Sequence, residues 1–521
     1  MHLSELISAL PESMKPLATE PGTEGTDPLI RGVRYDSRQV CPGDLFVALR
    51  GANSDGHAYI DRAIELGAAA LLVEEIAPTQ AHRKLPTIQV PSTRRALAPI
   101  SARFFGNPAD DLGLVGVTGT NGKTSTTYLI EAILKQANRN TGLIGTVEIR
   151  FGDHHETSVN TTPESLDLQR TLRAMRNDKV DAAVMEVSSH GLELGRVEGC
   201  RFRVAAFTNL SQDHLDFHGD MEAYLNSKAR LFRDHLAPDA VAVVNIDDAA
   251  SSTILSVAKS AGARLLRVGR GAASTADLKL LKSEIRLDGT RAELEDESGR
   301  IQLDLPLLGD FNLENLLVAV GVARALGIDF KTIAEGVAAC PQVPGRMERV
   351  RGTGGAADPT VLVDYAHTPD AVDKLLSAVR PLCDGRLIAV FGCGGDRDRA
   401  KRPLMAEAVA RHADLAIATS DNPRTEDPDA ILVDVVAGLN GLKETEAASL
   451  FAGAGAASTG RYAVLSDRRE AIRCALEGAD SNDTVVLAGK GHEDYQIIGR
   501  EKFPFDDRRE AHLALLDRGR V

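Results

Sequence analysis

The chain is poor in the features that would place it outside the cell, in a membrane or on a nucleic acid. Its six cysteines, at 41, 200, 340, 383, 393 and 474, form no CxxC pair and are too sparse for a disulfide scaffold. Reduced thiols in a reducing cytosol are therefore expected. The opening MHLSELISALPESMK lacks the basic segment and apolar stretch of a signal peptide. No run approaches the roughly 18 apolar residues that a spanning helix needs. No Lys/Arg-rich block is present and the net charge is -14, which argues against a nucleic-acid-binding body while leaving room for small phosphate pockets. Short repeats and low-complexity segments are also missing. The expectation is a cytoplasmic protein with no membrane span and no nucleic-acid partner.

What is present is an ordinary globular composition: 43% apolar, 26% charged and 46 glycines spread over 521 residues. That length has room for several domains, each with its own core. From about residue 110, short apolar runs alternate with helical patterns. LGLVGV (112–117) precedes a helix from Lys123, and VDAAVMEV (180–187), RVAAFTNL (203–210) and AVAVVNI (240–246) read as buried strands. Such alternation predicts a parallel sheet covered on both faces. Between 276 and 306 short alternating strands predict an antiparallel excursion.

A second alternating block follows CPQVPGRMERV (340–350), a Pro/Gly-rich candidate hinge. TVLVDYA (360–366), RLIAVFG (386–392), DLAIATS (414–420), YAVLS (462–466) and TVVLAGK (484–490) predict a separate domain of Rossmann size. Ahead of both, VRYDSRQVCPGDLFVAL, GAAALLVEE and LPTIQV suggest a smaller α/β block ending near FFGNPADDLG (104–113). The fold class is α/β in three domains: a small one at 1–108, a central ATPase-like parallel sheet at 109–343 and a Rossmann-like one at 344–521.

GVTGTNGKTSTT (116–127) follows a strand and opens a helix. Glycine lets the backbone turn tightly, so that its N–H groups and the helix N-terminus can face phosphate oxygens. Lys123 can reach terminal phosphates and Thr124 can hold Mg2+. Gly116 lies one residue too far from GK for the usual spacing, so the working loop is Gly119, Thr120, Asn121, Gly122, Lys123 and Thr124. A nucleoside triphosphate is the expected ligand. The loop alone does not separate a ligase from a motor, switch or kinase.

Further candidates sit just after strand ends, where open α/β sheets hold ligands. Glu186 ends AVMEVSSHG, Asp213 and His214 lie in TNLSQDHLDFHGD, and Lys228 stands one helical turn after Tyr224. A hard cation bridging phosphates would accept oxygens of Glu186 and Thr124, with His214 serving a second site. Taken singly, such a histidine is more often a structural hydrogen-bonder and such a lysine a solvated one. Their clustering behind a phosphate loop favours function.

Together GVTGTNGKT, NTTP (160–163), EVSSHGL (186–192), DHLDFHGD (213–220), GDFNLEN (309–315), PGRME (344–348), DYAHTPD (364–370), FGCGGDRDRAKRPLM (391–405), DNPRTEDP (421–428) and AGKGHEDYQ (488–496) resemble the Mur ligases. The similarity runs from DSR at 36–38 to GHEDYQ, nearly the whole chain. It implies an N-terminal domain gripping a UDP-sugar, a central ATPase domain and a C-terminal domain presenting an amino acid. It implies that Tyr35, Ser37, Asn160, Thr161, Thr162, Ser188 and Arg196 hold a UDP-muramoyl dipeptide. Lys228 matches a lysine carried as a carbamate, which would let it join Thr124, Glu186 and His214 around Mg2+. Lys123, Lys228, His214 and Glu186 form the implied catalytic set. Asn315 matches an adenine contact, Arg346 a residue reaching the ATP phosphates, and Asp364 and His367 positions close to the nucleotide. Many relatives have Gln where this chain has Leu194, which leaves that one substrate contact open.

The implied reaction is ATP-driven amide-bond formation in peptidoglycan synthesis, through an acyl phosphate. Closure of the third domain about residues 340–346 is the expected means of excluding water. The choice of amino acid rests on DNPR: diaminopimelate carries a second carboxylate that lysine lacks, and an arginine fork recognises a carboxylate in two-pronged fashion. Arg424 supplies that fork, Asp421 and Asn422, just before Pro423, are available for the amine, and the resemblance adds Arg397, Gly489 and Glu493. The expected partners are small molecules only, and a monomer is expected. A lysine-adding ligase, a folylpolyglutamate synthase and a nucleotide-binding regulatory protein are the competing readings. DNPR argues against the first, DSR and NTTP against the second, and the presence of Lys228, His214 and Glu186 against the third.

Overall fold

A computed structural model of the chain describes residues 1–20, 27–51, 54–76, 85–271, 275–286, 289–452 and 459–518. The chain divides into two compact units: Met1–Lys282 with Glu293–Gln302 and Glu314–Ala339, and Ser283–Ala292 with Leu303–Leu313 and Cys340–Val521. None of the described helices is long and apolar enough to cross a membrane, and all six cysteines are free thiols.

The first unit begins with a five-stranded sheet in the order Ala18–Glu20, Thr87–Gln89, Ala70–Val73, Asp44–Val47, Gly32–Arg34. Only the first pairing is antiparallel. Leu45 and Val47 turn to one core and Phe46 to another, as the two-residue period of a doubly covered strand requires. Leu166, from the later helix Ser165–Asn177, is buried in this N-terminal core. The Arg94–Glu164 ion pair and the Tyr35 hydroxyl, which donates to Asp167 at 2.5 Å, join the same elements. These contacts explain why residues 1–108 cluster with the segment that follows them.

The larger sheet has eleven strands, and Gly113–Thr118 runs in parallel between Phe202–Phe207 and Ala182–Glu186. Leu236–Asn245 and Arg264–Arg270 continue it on one side and Thr141–Ile144 on the other, again in parallel. Leu278–Arg286, Gly289–Asp296 and Gly299–Leu305 extend one edge, and their residues divide between the two units. Leu278–Arg286 joins Arg264–Arg270 in parallel. The opposite edge carries a hairpin, Glu148–Phe151 with His154–Thr157, that the apolar pattern did not reveal.

The second unit holds a seven-stranded sheet ordered Glu348–Val350, Thr360–Asp364, Thr484–Ala488, Leu387–Phe391, Leu415–Thr419, Arg461–Leu465, Lys443–Glu444. All pairings but the first are parallel. Val361 and Val363 face one core while Leu362 faces the other, which accounts for the continuous apolar runs. A separate hairpin, Tyr495–Ile498 with Glu501–Pro504, follows the last long strand.

His235, 1% exposed, sits just beyond the helix Met221–Asp234 and is held by burial at a pKa of about 4. Unfolded, it would take up a proton near pH 6.5, whereas the folded protein resists protonation until about pH 4. Stability should therefore fall as the pH drops from 6.5 towards 4 and level off below. We expect His235→Gln to reduce the difference in urea midpoint between pH 7 and pH 5, by the equivalent of about 2 kcal/mol. An unchanged difference would remove His235 as a source of acid sensitivity.

Candidate active site

The loop after Gly113–Thr118 is shaped by glycines at positive φ, +149° at Gly119 and +84° at Gly122. A Cβ at Gly119 would fall 1.9 Å from Thr208 Oγ1, and one at Gly122 would fall 2.0 Å from Asn315 Oδ1. Asn209, on the neighbouring strand end, grips the loop: its carbonyl accepts from Thr120 N at 2.8 Å and its Oδ1 from Asn121 N at 2.9 Å. Thr208 Oγ1 donates to the Asn121 carbonyl at 2.7 Å. The helix Lys123–Gln136 then starts, so its N-terminal backbone N–H groups and partial positive charge lie at the loop. Thr124 is buried in its first turn.

Two lysine side chains meet at this loop. Lys123 Nζ donates to the carbonyls of Gly119 at 2.9 Å and Thr120 at 2.8 Å, and Lys228 Nζ donates to the Gly119 carbonyl at 2.8 Å. Lys228, 1% exposed, also lies 4.3 Å from the centre of the Tyr224 ring. Burial first, and the Lys123 ammonium second, push its pKa well below the usual range. His214 adopts φ +54° and stands edge-on to His190, centroids 4.8 Å apart. Burial lowers its pKa, Asp213 opposes that, and both lysines add to it.

Beside the loop, Glu186 closes the strand Ala182–Glu186 and is 1% exposed. Its oxygens accept from Thr146 N at 2.8 Å and Thr146 Oγ1 at 2.9 Å. Thr146 Oγ1 in turn lies 3.0 Å from Thr161 Oγ1. Thr162 Oγ1 donates to the Glu186 carbonyl at 3.0 Å and accepts from Ser188 N at 2.9 Å, and the Thr162 carbonyl accepts from Arg196 Nη1 at 3.0 Å. Thus Thr161, Thr162, Glu186, Ser188 and Arg196 form one connected network. Asn160 is exposed beside it, and Leu194 is half-buried at the end of the short helix Ser189–Glu193. Ser37 lies elsewhere, in a turn capped by Asp36, next to the Tyr35 that reaches Asp167.

Within the second unit, strand ends again carry the candidates. Asp364 is buried and accepts from Met347 N at 2.7 Å and Ala366 N at 2.8 Å; burial raises its pKa against the pull of Arg346. The Arg346 guanidinium lies 4.8 Å from the Tyr365 ring centre, and that ring is flanked by His367 and His492. Burial, then Arg346 and Arg508, hold His492 at a pKa of about 3.

Asp421, Asn422, Pro423 and Arg424 follow the strand Leu415–Thr419. Asn422 Nδ2 donates to Glu493 Oε2 at 2.9 Å, and Gly489, at φ +117°, leaves its backbone alongside Asp421. Arg424, at φ +53°, donates from Nη1 to the Gly395 carbonyl at 2.8 Å. Arg397 is exposed on the same turn, its Cγ 3.9 Å from where a Cβ on Gly394 would lie. Three positions escaped the reading of the sequence: Thr146, Asn209 and Lys490. Lys490 lay inside the quoted AGKGHEDYQ, and only its burial separates it from an ordinary surface lysine.

Among the described residues, no three His, Cys, Asp or Glu side chains converge as a metal site. Any cation here would depend on hydroxyl, backbone or modified lysine oxygens as well.

Comparison with known proteins agrees with this arrangement. Residues 29–105 match the Mur ligase family catalytic domain, 117–323 the Mur ligase middle domain, and 345–491 the Mur ligase glutamate ligase domain. The chain is 46% identical to the UDP-N-acetylmuramoyl-L-alanyl-D-glutamate–2,6-diaminopimelate ligase of Geobacter metallireducens, over 93% of this chain and 94% of the relative. It is 44% identical to the enzyme of that name from Synechococcus elongatus, over 99% of both. A solved structure of a ligase of the same name superposes with a TM-score of 0.66 at 35% identity, covering 94% of this chain and 96% of the other.

The hydroxyl of Thr162, fully buried, ties the 160–163 segment to two strand-end backbone groups. Thr162→Val keeps the shape but leaves the Ser188 N–H and the Glu186 carbonyl unpaired. We expect a loss of about 1–3 kcal/mol in chemical denaturation, largely recovered by Thr162→Ser. Equal stability of the valine variant would show that the network is not needed for folding.

Proposed function

The chain belongs to the Mur ligase family, and on that premise we propose that it joins meso-2,6-diaminopimelate to UDP-N-acetylmuramoyl-L-Ala-D-Glu, converting ATP to ADP and phosphate. The observation that carries this reading is the 46% identity over 93% of the chain to a ligase named for that addition. The local chemistry agrees: Arg424 offers a guanidinium to a distal carboxylate beside the acidic and amide groups of Asp421, Asn422 and Glu493. In the proposed division, residues 1–108 take the UDP-sugar, 109–343 the ATP chemistry and 344–521 the amino acid. A monomer acting on small molecules in the cytoplasm completes the proposal.

The dipeptide carboxylate attacks the γ-phosphorus, the bond to the bridging oxygen breaks, and ADP leaves an acyl phosphate behind. The incoming amine adds to the acyl carbon and loses a proton, and the tetrahedral adduct expels phosphate as the amide forms. Phosphoryl transfer of this kind depends on positioning and charge. Lys123 and the helix N-terminus bring positive charge to the phosphates, with Asn315 beside the loop for the base. Thr161, Ser188 and Arg196 offer hydroxyls and a guanidinium to the peptide, with Thr162 fixing their segment from beneath and Tyr35, Ser37 and Asn160 for the rest of the nucleotide sugar. Arg346, Asp364 and His367 are assigned to nucleotide handling without separate roles.

Mg2+ would fit Thr124, Glu186, His214 and Lys228 only if the lysine is not an ammonium. Burial favours its neutral amine, which can add CO2 to become a carbamate, an anionic oxygen ligand. Gly145 leaves the space: a Cβ there would sit 2.6 Å from Glu186 Oε1. When bound, Mg2+ would neutralise phosphate charge.

The reading is tested by phosphate release with ATP, Mg2+ and the UDP-dipeptide in the presence of diaminopimelate, L-lysine or no amino acid. We expect release and a tripeptide product with diaminopimelate alone. Activity with lysine instead would keep the ligase and discard the argument from Arg424. A second test concerns Lys228→Ala, expected to lower ligation by at least about a thousandfold, with partial recovery on adding a small carboxylate but not CO2. Near-normal turnover without an additive would remove the carbamate.

A further inference from the structure

Lys490 is 0% exposed, an unusual position for a lysine. It follows the strand Thr484–Ala488, two residues past its end, and points into the cluster assigned above to the amino acid. Its Nζ lies 3.1 Å from Glu493 Oε2, 3.2 Å from Asn422 Oδ1 and 3.5 Å from Asp421 Oδ1. One amino group thus touches Asp421, Asn422 and Glu493, the acidic and amide groups of the proposed amino-acid site. Asn422 is clamped further, since its Oδ1 accepts from Ile497 N at 2.9 Å while its Nδ2 donates to Glu493. Gln496 Nε2 donates to the Asp421 carbonyl at 2.7 Å, and Arg424 N donates to the Ile497 carbonyl at 3.0 Å.

Charge accounting gives this contact a purpose. Asp421 and Glu493 contribute two negative charges, and Lys490 and Arg424 two positive ones; on the adjoining turn Arg397 adds one positive charge and Asp396, which interacts with both arginines, one negative. Arg468, the other buried cation that acts on these acids, is matched by Asp507 at 2.6 Å and adds no net charge. The cluster is therefore neutral. Asp421 Oδ1 is nonetheless buried without a hydrogen bond, an acceptor that a substrate ammonium would satisfy. The distal end of diaminopimelate carries an ammonium and a carboxylate and is neutral, whereas that of lysine carries an ammonium alone. A neutral cluster suits the first. The same cluster without Lys490 has a net negative charge and suits the second.

We propose that Lys490 is a positioning and specificity-determining residue: it fixes Asp421, Asn422 and Glu493 and balances their charge, so that the site selects a zwitterionic distal group over a bare ammonium. The assignment rests on the amino-acid site proposed above. It adds a discriminating element besides Arg424, acting by cancelling attraction for the wrong substrate, whereas Arg424 attracts the right one.

The test compares Lys490→Met and Lys490→Arg with the unmodified chain, measuring the amino-acid dependence of phosphate release for diaminopimelate and for L-lysine at saturating ATP and UDP-dipeptide. For Lys490→Met we expect KM for diaminopimelate to rise at least about tenfold, KM for ATP to stay within about twofold, and the diaminopimelate-to-lysine ratio of kcat/KM to fall about tenfold or more. Lys490→Arg keeps the charge; any steric penalty acts on both amino acids, so its ratio should stay within about threefold of the unmodified chain. Lys490→Gln, which keeps a hydrogen-bonding group, replaces the methionine variant if that does not fold, and the same fall in ratio is expected. A ratio that stays constant in the neutral variants while overall activity drops would reduce Lys490 to a structural ion pair and overturn the proposal. Failure of the unmodified chain to form tripeptide with diaminopimelate would instead overturn the function on which it rests.

Discussion

The carbonyl oxygen of Gly119 accepts hydrogen bonds from both Lys123 and Lys228, at 2.9 and 2.8 Å. Bringing two lysine side chains to one backbone oxygen requires a loop that turns inside a very small radius. Gly119 and Gly122 allow it, because any Cβ there would strike Thr208 or Asn315. Asn209 and Thr208 then hold the turn from the adjacent strand end. Mutual repulsion and burial act together on Lys228 and disfavour its charged form. The tight turn that brings Lys123 to the loop thus also holds Lys228 where its neutral form is favoured.

The same economy governs the rest of the first unit. Parallel strands end side by side, so Thr118, Glu186 and Phe207 deliver the phosphate loop, a carboxylate and the Thr208–Asn209 grip to one edge. Hydroxyls of Thr146, Thr161, Thr162 and Ser188 satisfy the strand-end polar groups there, which would otherwise be buried without partners. These residues are placed by the sheet, and their side chains need little conformational freedom to meet a substrate.

In the second unit a different problem is solved. Acidic and basic groups are packed together at the ends of buried strands, where an unpaired charge would be costly. Lys490 and Arg424 beside Asp421 and Glu493, and Arg468 against Asp507, are the resulting matched sets. The hairpin Tyr495–Ile498 with Glu501–Pro504 pins the turn at 421–424 through backbone bonds and so supports Arg424 at φ +53°. In the proposal made above, selectivity for an amino acid is a property of this charge-balanced frame.

Much of this was legible in the residues alone. Apolar runs of five to eight residues marked most of the parallel strands to within a few positions, because strands buried on both faces leave no polar alternation to misread; the short Thr141–Ile144 and the Arg-bearing Arg264–Arg270 were not read. The strand, tight turn and helix of residues 113–136 were recognisable because glycines at positive φ mark the turn. The edge hairpins were not visible, since exposed strands such as His154–Thr157 carry no apolar signal. Neither was the importance of Thr146, Asn209 or Lys490. Their identities are common ones, and what distinguishes them is burial and the partner brought from 40, 88 or 68 residues away. Local sequence determined the elements and the chemistry of the motifs. Only tertiary packing decided which polar groups would be buried together, because the cost of an unpaired charge exists only once water has been excluded.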